Sequence, residues 1–195
     1  MTTLRTGGLL VSAAALLLAA CGAEDVRPRP GEMQLNGLFE ADFSLVDMHG
    51  APATDERFEG QPLLIYYGFA SCPDVCPAAL SVLSASLDAL GRDAARITPL
   101  FVTVDPARDT PDVLRRHLAF DERILGLTGD EAAIRAAAED LRVAAVRRDL
   151  PDSALGYTMD HTSFFYLIDA EGTPVAALDD GMAPEDIAAV VRRYL

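Results

Sequence analysis

The sequence predicts an α/β domain with a mixed central sheet flanked by helices. Three observations carry this. Residues 62–69 and 97–104 are continuous apolar runs of strand length, as expected for strands buried on both faces. Each is followed by a segment of helical period, and such alternation points to a partly parallel sheet. The chain then closes on a strand pair and a helix.

The elements follow in order. Residues 1–6 carry one charge, Arg5, and residues 9–20 are an apolar run too short for a comfortable membrane span. The run ends in Leu18-Ala19-Ala20-Cys21. A basic start, a short apolar middle and small residues before the end describe a secretory leader over residues 1–20. Leu18 to Cys21 resembles the lipobox of bacterial lipoproteins. That resemblance implies that Cys21 is lipidated and anchors the chain to the membrane of a bacterial cell envelope, with the domain on the extracytoplasmic side. Residues 21–36 read as a tether, with Arg27-Pro28-Arg29-Pro30-Gly31 and little to bury. Fully extended, such a segment reaches ~50 Å.

Removing the leader leaves about 175 residues, one domain over residues 37–195 and enough to bury a substantial core. The net charge is −14, and loss of Arg5 makes the mature chain one unit more negative. Such a surface repels nucleic acid, which is not expected as a partner.

Within the domain, residues 43–46 are a short strand followed by a turn at His49-Gly50. Residues 62–69 are the first buried strand. Leu80, Leu83, Leu87 and Leu90 then repeat at helical spacing, with Pro77 suited to the first turn and Gly91 to the stop. Residues 97–104 are the second buried strand. Thr110-Pro111-Asp112 starts a helix with Val113, Leu114 and Leu118 inward. Ile124-Leu125-Gly126-Leu127 is a short strand, and Asp130 caps a helix through Ile134, Ala138 and Leu141. Residues 163–169 are a third strong strand, turned by Glu171-Gly172 into residues 174–178. A last helix starts at Pro184. The closing hairpin and helix fit a thioredoxin-like fold with an N-terminal strand extension.

The chemistry lies where the first buried strand ends, in Ser71-Cys72-Pro73-Asp74-Val75-Cys76-Pro77. The chain has three cysteines, and with Cys21 set aside only Cys72 and Cys76 remain. One close pair is not a disulfide scaffold; it is structural, redox-active or metal-binding. Unpaired N–H groups and partial positive charge at a helix start favour thiolate at both sulfurs. Three intervening residues make a wider loop than Cys-x-x-Cys. A Cys72–Cys76 disulfide stays open, and an ion between the sulfurs becomes easy. A third ligand must come from His49, His117 or His161. His49 lies in a turn and His117 among Leu114, Arg116 and Leu118 on a helix. His161 lies in Tyr157-Thr158-Met159-Asp160-His161-Thr162, a loop before the third strong strand. In this topology that loop faces the cysteines. Two thiolates and an imidazole suit Cu(I) and also Cu(II), and zinc accepts the same set.

Three blocks make the chain similar to the SCO/SenC family of copper-binding proteins. They are Cys72-Pro73-Asp74-Val75-Cys76-Pro77, Val104-Asp105-Pro106-Ala107-Arg108-Asp109-Thr110-Pro111, and Asp160-His161-Thr162 followed by Tyr166-Leu167-Ile168-Asp169 and Gly172. The resemblance implies copper on Cys72, Cys76 and His161. It implies a role in assembling the binuclear copper site, CuA, of cytochrome c oxidase, by copper delivery or by reduction of the receiving cysteines. The implied partners are the oxidase subunit that carries CuA and another copper chaperone as donor.

Asp105, Asp109 and Asp160 are candidate supports of the site. The plainer reading makes Asp105-Pro106 a turn and Asp109-Thr110-Pro111 a helix cap, and Asp160 either orients His161 or is an ordinary loop aspartate. Asp179-Asp180-Gly181 reads as a solvated turn. The rival to copper binding is a thiol–disulfide reductase. Such enzymes usually carry a proline just before the strand that faces the cysteines, and Met159-Asp160-His161-Thr162 has none. A peroxiredoxin pattern fails because Pro73 stands where threonine or serine is required.

Overall fold

The computed structural model describes residues 27–35, 37–73 and 75–195. The expected leader, residues 1–20, and the expected lipidation residue Cys21 lie outside the described residues. Three short strands come first: β1 (Glu32–Gln34), β2 (Ser44–Asp47) and β3 (Pro52–Thr54). The core alternation follows as β4 (Leu63–Gly68), α1 (Val75–Leu90), β5 (Thr98–Thr103), α2 (Pro111–His117), β6 (Leu125–Thr128) and α3 (Glu131–Asp140). The chain ends with β7 (Ala145–Leu150), β8 (Gly156–His161), β9 (Phe164–Ile168), β10 (Pro174–Asp179) and α4 (Pro184–Val191).

Eight strands form one sheet in the order β1-β10-β9-β4-β5-β6-β2-β3. β4, β5 and β6 run parallel, and β9 is antiparallel to β4. This is the expected mixed, thioredoxin-like architecture. All six residues of β4 are buried, because helices cover both faces of the sheet. Successive strand residues point to opposite faces. Tyr67 sends its hydroxyl to the Ala137 carbonyl of α3, 2.8 Å away. Its neighbour Tyr66 faces the other way, where its ring meets that of His161, which in turn touches Cys76 of α1. α1 and α3 therefore lie on opposite sides of β4.

Local signals explain the helix ends. α1 buries Leu80, Leu83, Leu87 and Leu90 and stops at Gly91, whose φ of 60° is one that glycine adopts without strain. Asp130 caps α3 by accepting from the Ala133 N–H at 2.8 Å. α2 starts as expected at Pro111, with Thr110 as the cap.

Two expectations are corrected. Residues 21–36 do not all form a tether. Glu32–Gln34 pairs with the outer edge of β10, and Leu35 is buried. An uncovered edge of N–H and C=O groups is a ready template for one more strand. The N-terminal strands thus close both ends of the sheet, β1 beside β10 and β2–β3 beside β6.

The second correction concerns residues 145–161, which form a separate two-stranded antiparallel hairpin, β7–β8. β7 is exposed along nearly its whole length. It therefore shows no apolar alternation by which the sequence could reveal it. His161 is consequently the last residue of a strand, not part of a loop. Among the described residues no helix is long and apolar enough to cross a membrane.

Candidate metal centre

The β4–α1 junction brings the two cysteines together. Gly68 ends β4 under a tight constraint. A Cβ there would sit 2.8 Å from Phe101 Cε2 and 3.0 Å from Tyr66 Cε1. The chain then turns, and the Cys72 N–H donates to the Phe69 carbonyl at 3.2 Å. Cys72 is half-buried and Cys76 fully buried, and both are free thiols. The Cys76 N–H, in the first turn of α1, points at Cys72 Sγ at 3.5 Å. The sulfur thus takes the place that a capping oxygen takes at other helix starts.

His161 Nε2 lies 3.5 Å from Cys76 Sγ. Its other nitrogen, Nδ1, is 2.9 Å from the Thr162 carbonyl. A carbonyl can only accept, so Nδ1 carries the proton and the Nε2 lone pair accepts from the Cys76 S–H. Two aromatic edges wall the imidazole. Phe69 lies at 5.9 Å and 85°, and Tyr66 at 6.3 Å and 79°.

The electrostatics differ from the sequence expectation at one of the two sulfurs. Burial pushes the Cys76 thiol up to about 12, outweighing the N–H of its loop and the Tyr66 hydroxyl. The helix start alone does not make Cys76 a thiolate. Among the described residues, no three His, Cys, Asp or Glu side chains are already gathered in the geometry of a metal site. Cys76 and His161 are in contact, and Cys72 joins them through the backbone N–H of Cys76. The donor types fit a soft cation: two sulfurs and an imidazole nitrogen with its proton held elsewhere.

The second sequence block supports this junction from below. Asp109 is fully buried. It accepts from the Ala70 N–H at 2.9 Å and the Thr103 hydroxyl at 2.6 Å. It is not the helix cap; its neighbour Thr110 has that role, and Asp109 instead pins the cysteine loop to β5. Burial raises its carboxyl above the usual range. Asp105 pairs with Arg108 and accepts from the Tyr157 hydroxyl at 2.8 Å. Arg108 also donates to the Tyr157 carbonyl at 3.1 Å, and its guanidinium stacks 3.7 Å from that ring's centroid. This cluster clamps β8, and with it His161, to the β5–α2 loop.

Asp160 does not orient His161. Its carboxylate faces the exposed side of the hairpin and pairs with Arg148 through two bonds of 2.9 and 3.1 Å. Adjacent strand residues point oppositely, so Asp160 and His161 cannot both face the cysteines. The other histidines behave as expected. His49 is exposed, and His117 is half-buried against Phe101, with ring centroids 5.7 Å apart.

Residue reading missed four contributors: Tyr66, Arg108, Tyr157 and Thr162. The spacing of Asp105 and Arg108 could have suggested a pair. Nothing local marks Tyr66, which sits inside an apolar run, or the Thr162 carbonyl.

Comparison with known proteins fits this geometry. A family model described as SCO1/SenC matches residues 31–195. The SCO2-like protein of Rickettsia felis is 36% identical over 168 residues, 84% of this chain and 82% of that one. The mitochondrial SCO2 protein of Saccharomyces cerevisiae is 38% identical over 160 residues, 78% of this chain and 53% of that one. Among solved structures, Bradyrhizobium japonicum ScoI with copper bound superposes with a TM-score of 0.74. It is 39% identical, covering 80% of this chain and 99% of that chain. The chain therefore belongs to the SCO1/SenC family.

Proposed function

We propose that this protein is a copper metallochaperone that assists assembly of the CuA site of cytochrome c oxidase. Copper is its cargo, held by Cys72, Cys76 and His161. The observation that carries this reading is the 3.5 Å approach of His161 Nε2 to Cys76 Sγ, with Nδ1 committed to the Thr162 carbonyl. That arrangement offers one imidazole lone pair and one sulfur to a common point. Cys72, half-buried at the mouth of the site, supplies the second sulfur. Two relatives, ScoI of Bradyrhizobium japonicum and Sco1 of yeast, have been solved with copper bound, which supports the choice over zinc.

The chain's own residues do three things in this scheme. The backbone at α1 presents both sulfurs. Thr162 holds the imidazole in one tautomer. The walls of Phe69 and Tyr66 exclude water from the inner sulfur. Cys76 must lose a proton on loading, since burial holds it as a thiol. The oxidase subunit carrying CuA is the recipient in this reading, another copper chaperone is the donor, and a lipid on Cys21 keeps the domain at the membrane.

The test is anaerobic copper titration of the reduced protein, followed by optical spectroscopy. One copper per chain is expected, with thiolate-to-Cu(II) bands lost in Cys72→Ala and Cys76→Ala. Binding by His161→Ala as tight as wild type would remove the imidazole from the ligand set.

A second reading, a thiol–disulfide reductase acting on the CuA-site cysteines, has its own support. Cys72 is the outer thiol, with an N–H on its sulfur, and Cys76 lies buried behind it. That is the order for an attacking and a resolving thiol. Turnover on an oxidised CuA-domain peptide separates the two readings, because a chaperone without reductase function leaves that disulfide intact.

A further inference from the structure

β1 has no part in the scheme above, yet it is firmly built in. The Gly31 carbonyl accepts from the Asp179 N–H at 2.9 Å. Gly31 has a φ of 86°, and a Cβ there would sit 2.6 Å from Met182 Cγ, so glycine alone lets the chain pass without strain. Arg29 pairs with Asp186 of α4 at 2.5 Å, and its backbone N–H donates to the Glu32 carboxylate at 2.8 Å. The Glu32 side chain is fully buried and pairs with Arg193, which also donates to the Arg27 carbonyl at 3.3 Å. Separating a buried carboxylate from its partner is costly. Residues 27–35 therefore belong to the domain and not to a tether.

Strand register says where this segment leaves the domain. Glu32 lies opposite Leu178, Leu178 opposite Phe165, and Phe165 opposite Tyr66. Gln34, Ala176, Leu167 and Leu64 align in the same way. β1 thus begins at the level of Tyr66 and ends at the level of Leu64, running away from the cysteines that follow β4. The chain before it departs from the end of the sheet that bears the metal site. β1 and β4 are three strand spacings apart in the sheet order, or ~14 Å. Residues 22–26 are all that separate Cys21 from Arg27, and six links span at most ~20 Å. That is less than half the reach of residues 21–36 fully extended.

We propose that the docked β1 hangs the domain from the lipid surface by its metal-bearing end. The site of Cys72, Cys76 and His161 then faces the bilayer head groups, and the β9–β10 turn at Glu171 points away from them. A recipient of the copper must accordingly present its thiols close above the same membrane. This deepens the chaperone reading and rests on its lipid at Cys21.

The test places the lipidated full chain in phosphatidylcholine–phosphatidylglycerol vesicles that carry an acceptor dye on their head groups. An alkyne-bearing residue, labelled with a donor dye, replaces either Ala107 or Glu171, both exposed. Ala107 lies in the β5–α2 loop at the metal end, and Glu171 lies at the far end. Energy transfer from Ala107 should exceed that from Glu171 by about two-fold or more, since β4 alone separates the two ends by ~20 Å. Twenty Gly/Ser residues inserted between Glu24 and Asp25 should bring the ratio close to one. Arg193→Ala strands the buried Glu32, and the ratio should fall to the extent that the amides of Glu32–Gln34 lose exchange protection. Equal transfer from the two positions, or more from Glu171, overturns the proposal. So does a ratio that the insertion leaves unchanged, or lost β1 protection without a fall in the ratio. If Arg193→Ala does not fold, the insertion decides. Absence of lipid on Cys21, read by mass spectrometry of the N-terminal peptide, would count against the anchor alone. Residues 27–195 ligated to a lipopeptide of residues 21–26 then give the same ratio and judge the geometry.

Discussion

The β4–α1 junction and the β7–β8 hairpin meet at the Cys76–His161 contact, yet they are held by different forces. The cysteine side is set into the core. β4 is buried on both faces, and α1 lays Leu80, Leu83 and Leu87 against it. The histidine side is a hairpin outside the main sheet, whose first strand is exposed. Directional contacts hold it: Tyr157 to Asp105, Arg108 to the hairpin backbone, and reciprocal bonds between Ala144 and Thr162 of 2.9 and 3.0 Å. Non-directional burial thus fixes one ligand and a few polar contacts fix the other. Damage to the first should unfold the protein, while damage to the second should displace His161 from a folded one.

The largest effect is expected for Leu83→Ala, which empties a fully buried position behind the cysteines. It should cost about 3 kcal/mol in urea denaturation, with hydrogen exchange accelerated throughout the sheet. An effect confined to the hairpin would break the comparison.

Arg108→Ala comes next. It strands the buried Asp105 carboxylate at a cost of about 3 kcal/mol or somewhat less, since the pair is not wholly dry. Its signature is local. Amide exchange should rise first in Ala145–Leu150 and Gly156–His161, and metal affinity should fall. Uniform loss across the sheet would show that the clamp belongs to the core after all.

Two aspartates sharpen the comparison through pH. Arg123, helped by Ser84, holds Asp121 at about 2. Its stabilisation is present above the unfolded carboxyl value of ~3.9 and is lost as pH falls through the folded value. Asp121→Asn should therefore cost about 1–2 kcal/mol at pH 7, allowing for the solvent around Arg123, and little near pH 2. Asp109 has the opposite sign. Burial raises its carboxyl, so its relative stabilisation is full below ~3.9 and declines as pH rises through the folded value. The stability of Asp109→Asn relative to wild type should therefore improve with pH. Denaturation curves from pH 2 to 7 check both signs, and parallel slopes would contradict the two environments.

The smallest effect belongs to Asp160→Asn. Its partner Arg148 lies on the exposed side of the hairpin, and surface pairs contribute little. Stability and copper titration should match wild type. Weakened binding would return Asp160 to a role in orienting His161.

The contrast also explains how far the sequence could be read. β4, β5 and the α1 stripe were legible because burial writes a period into the chain. The hairpin was not, because a ribbon with no buried face needs no apolar alternation. The caps show the same divide. Asp130 caps α3 as expected, whereas Asp109 and Thr110 are adjacent and either could have capped α2. What settled that choice was the Ala70 N–H, 39 residues away, which draws the Asp109 carboxylate into the cysteine loop.

Local chemistry was thus enough for the dithiol at a strand-to-helix junction, the α/β order of elements and the pairing of motifs that marks the family. It could not say that Asp160 faces away from the cysteines, that Cys76 is a buried thiol, or that Arg108 and Tyr157 clamp the strand that ends in His161. Those facts depend on which residues, distant in the chain, share a small volume without water. Burial strength and hydrogen-bond direction are properties of that volume, and no segment carries them alone.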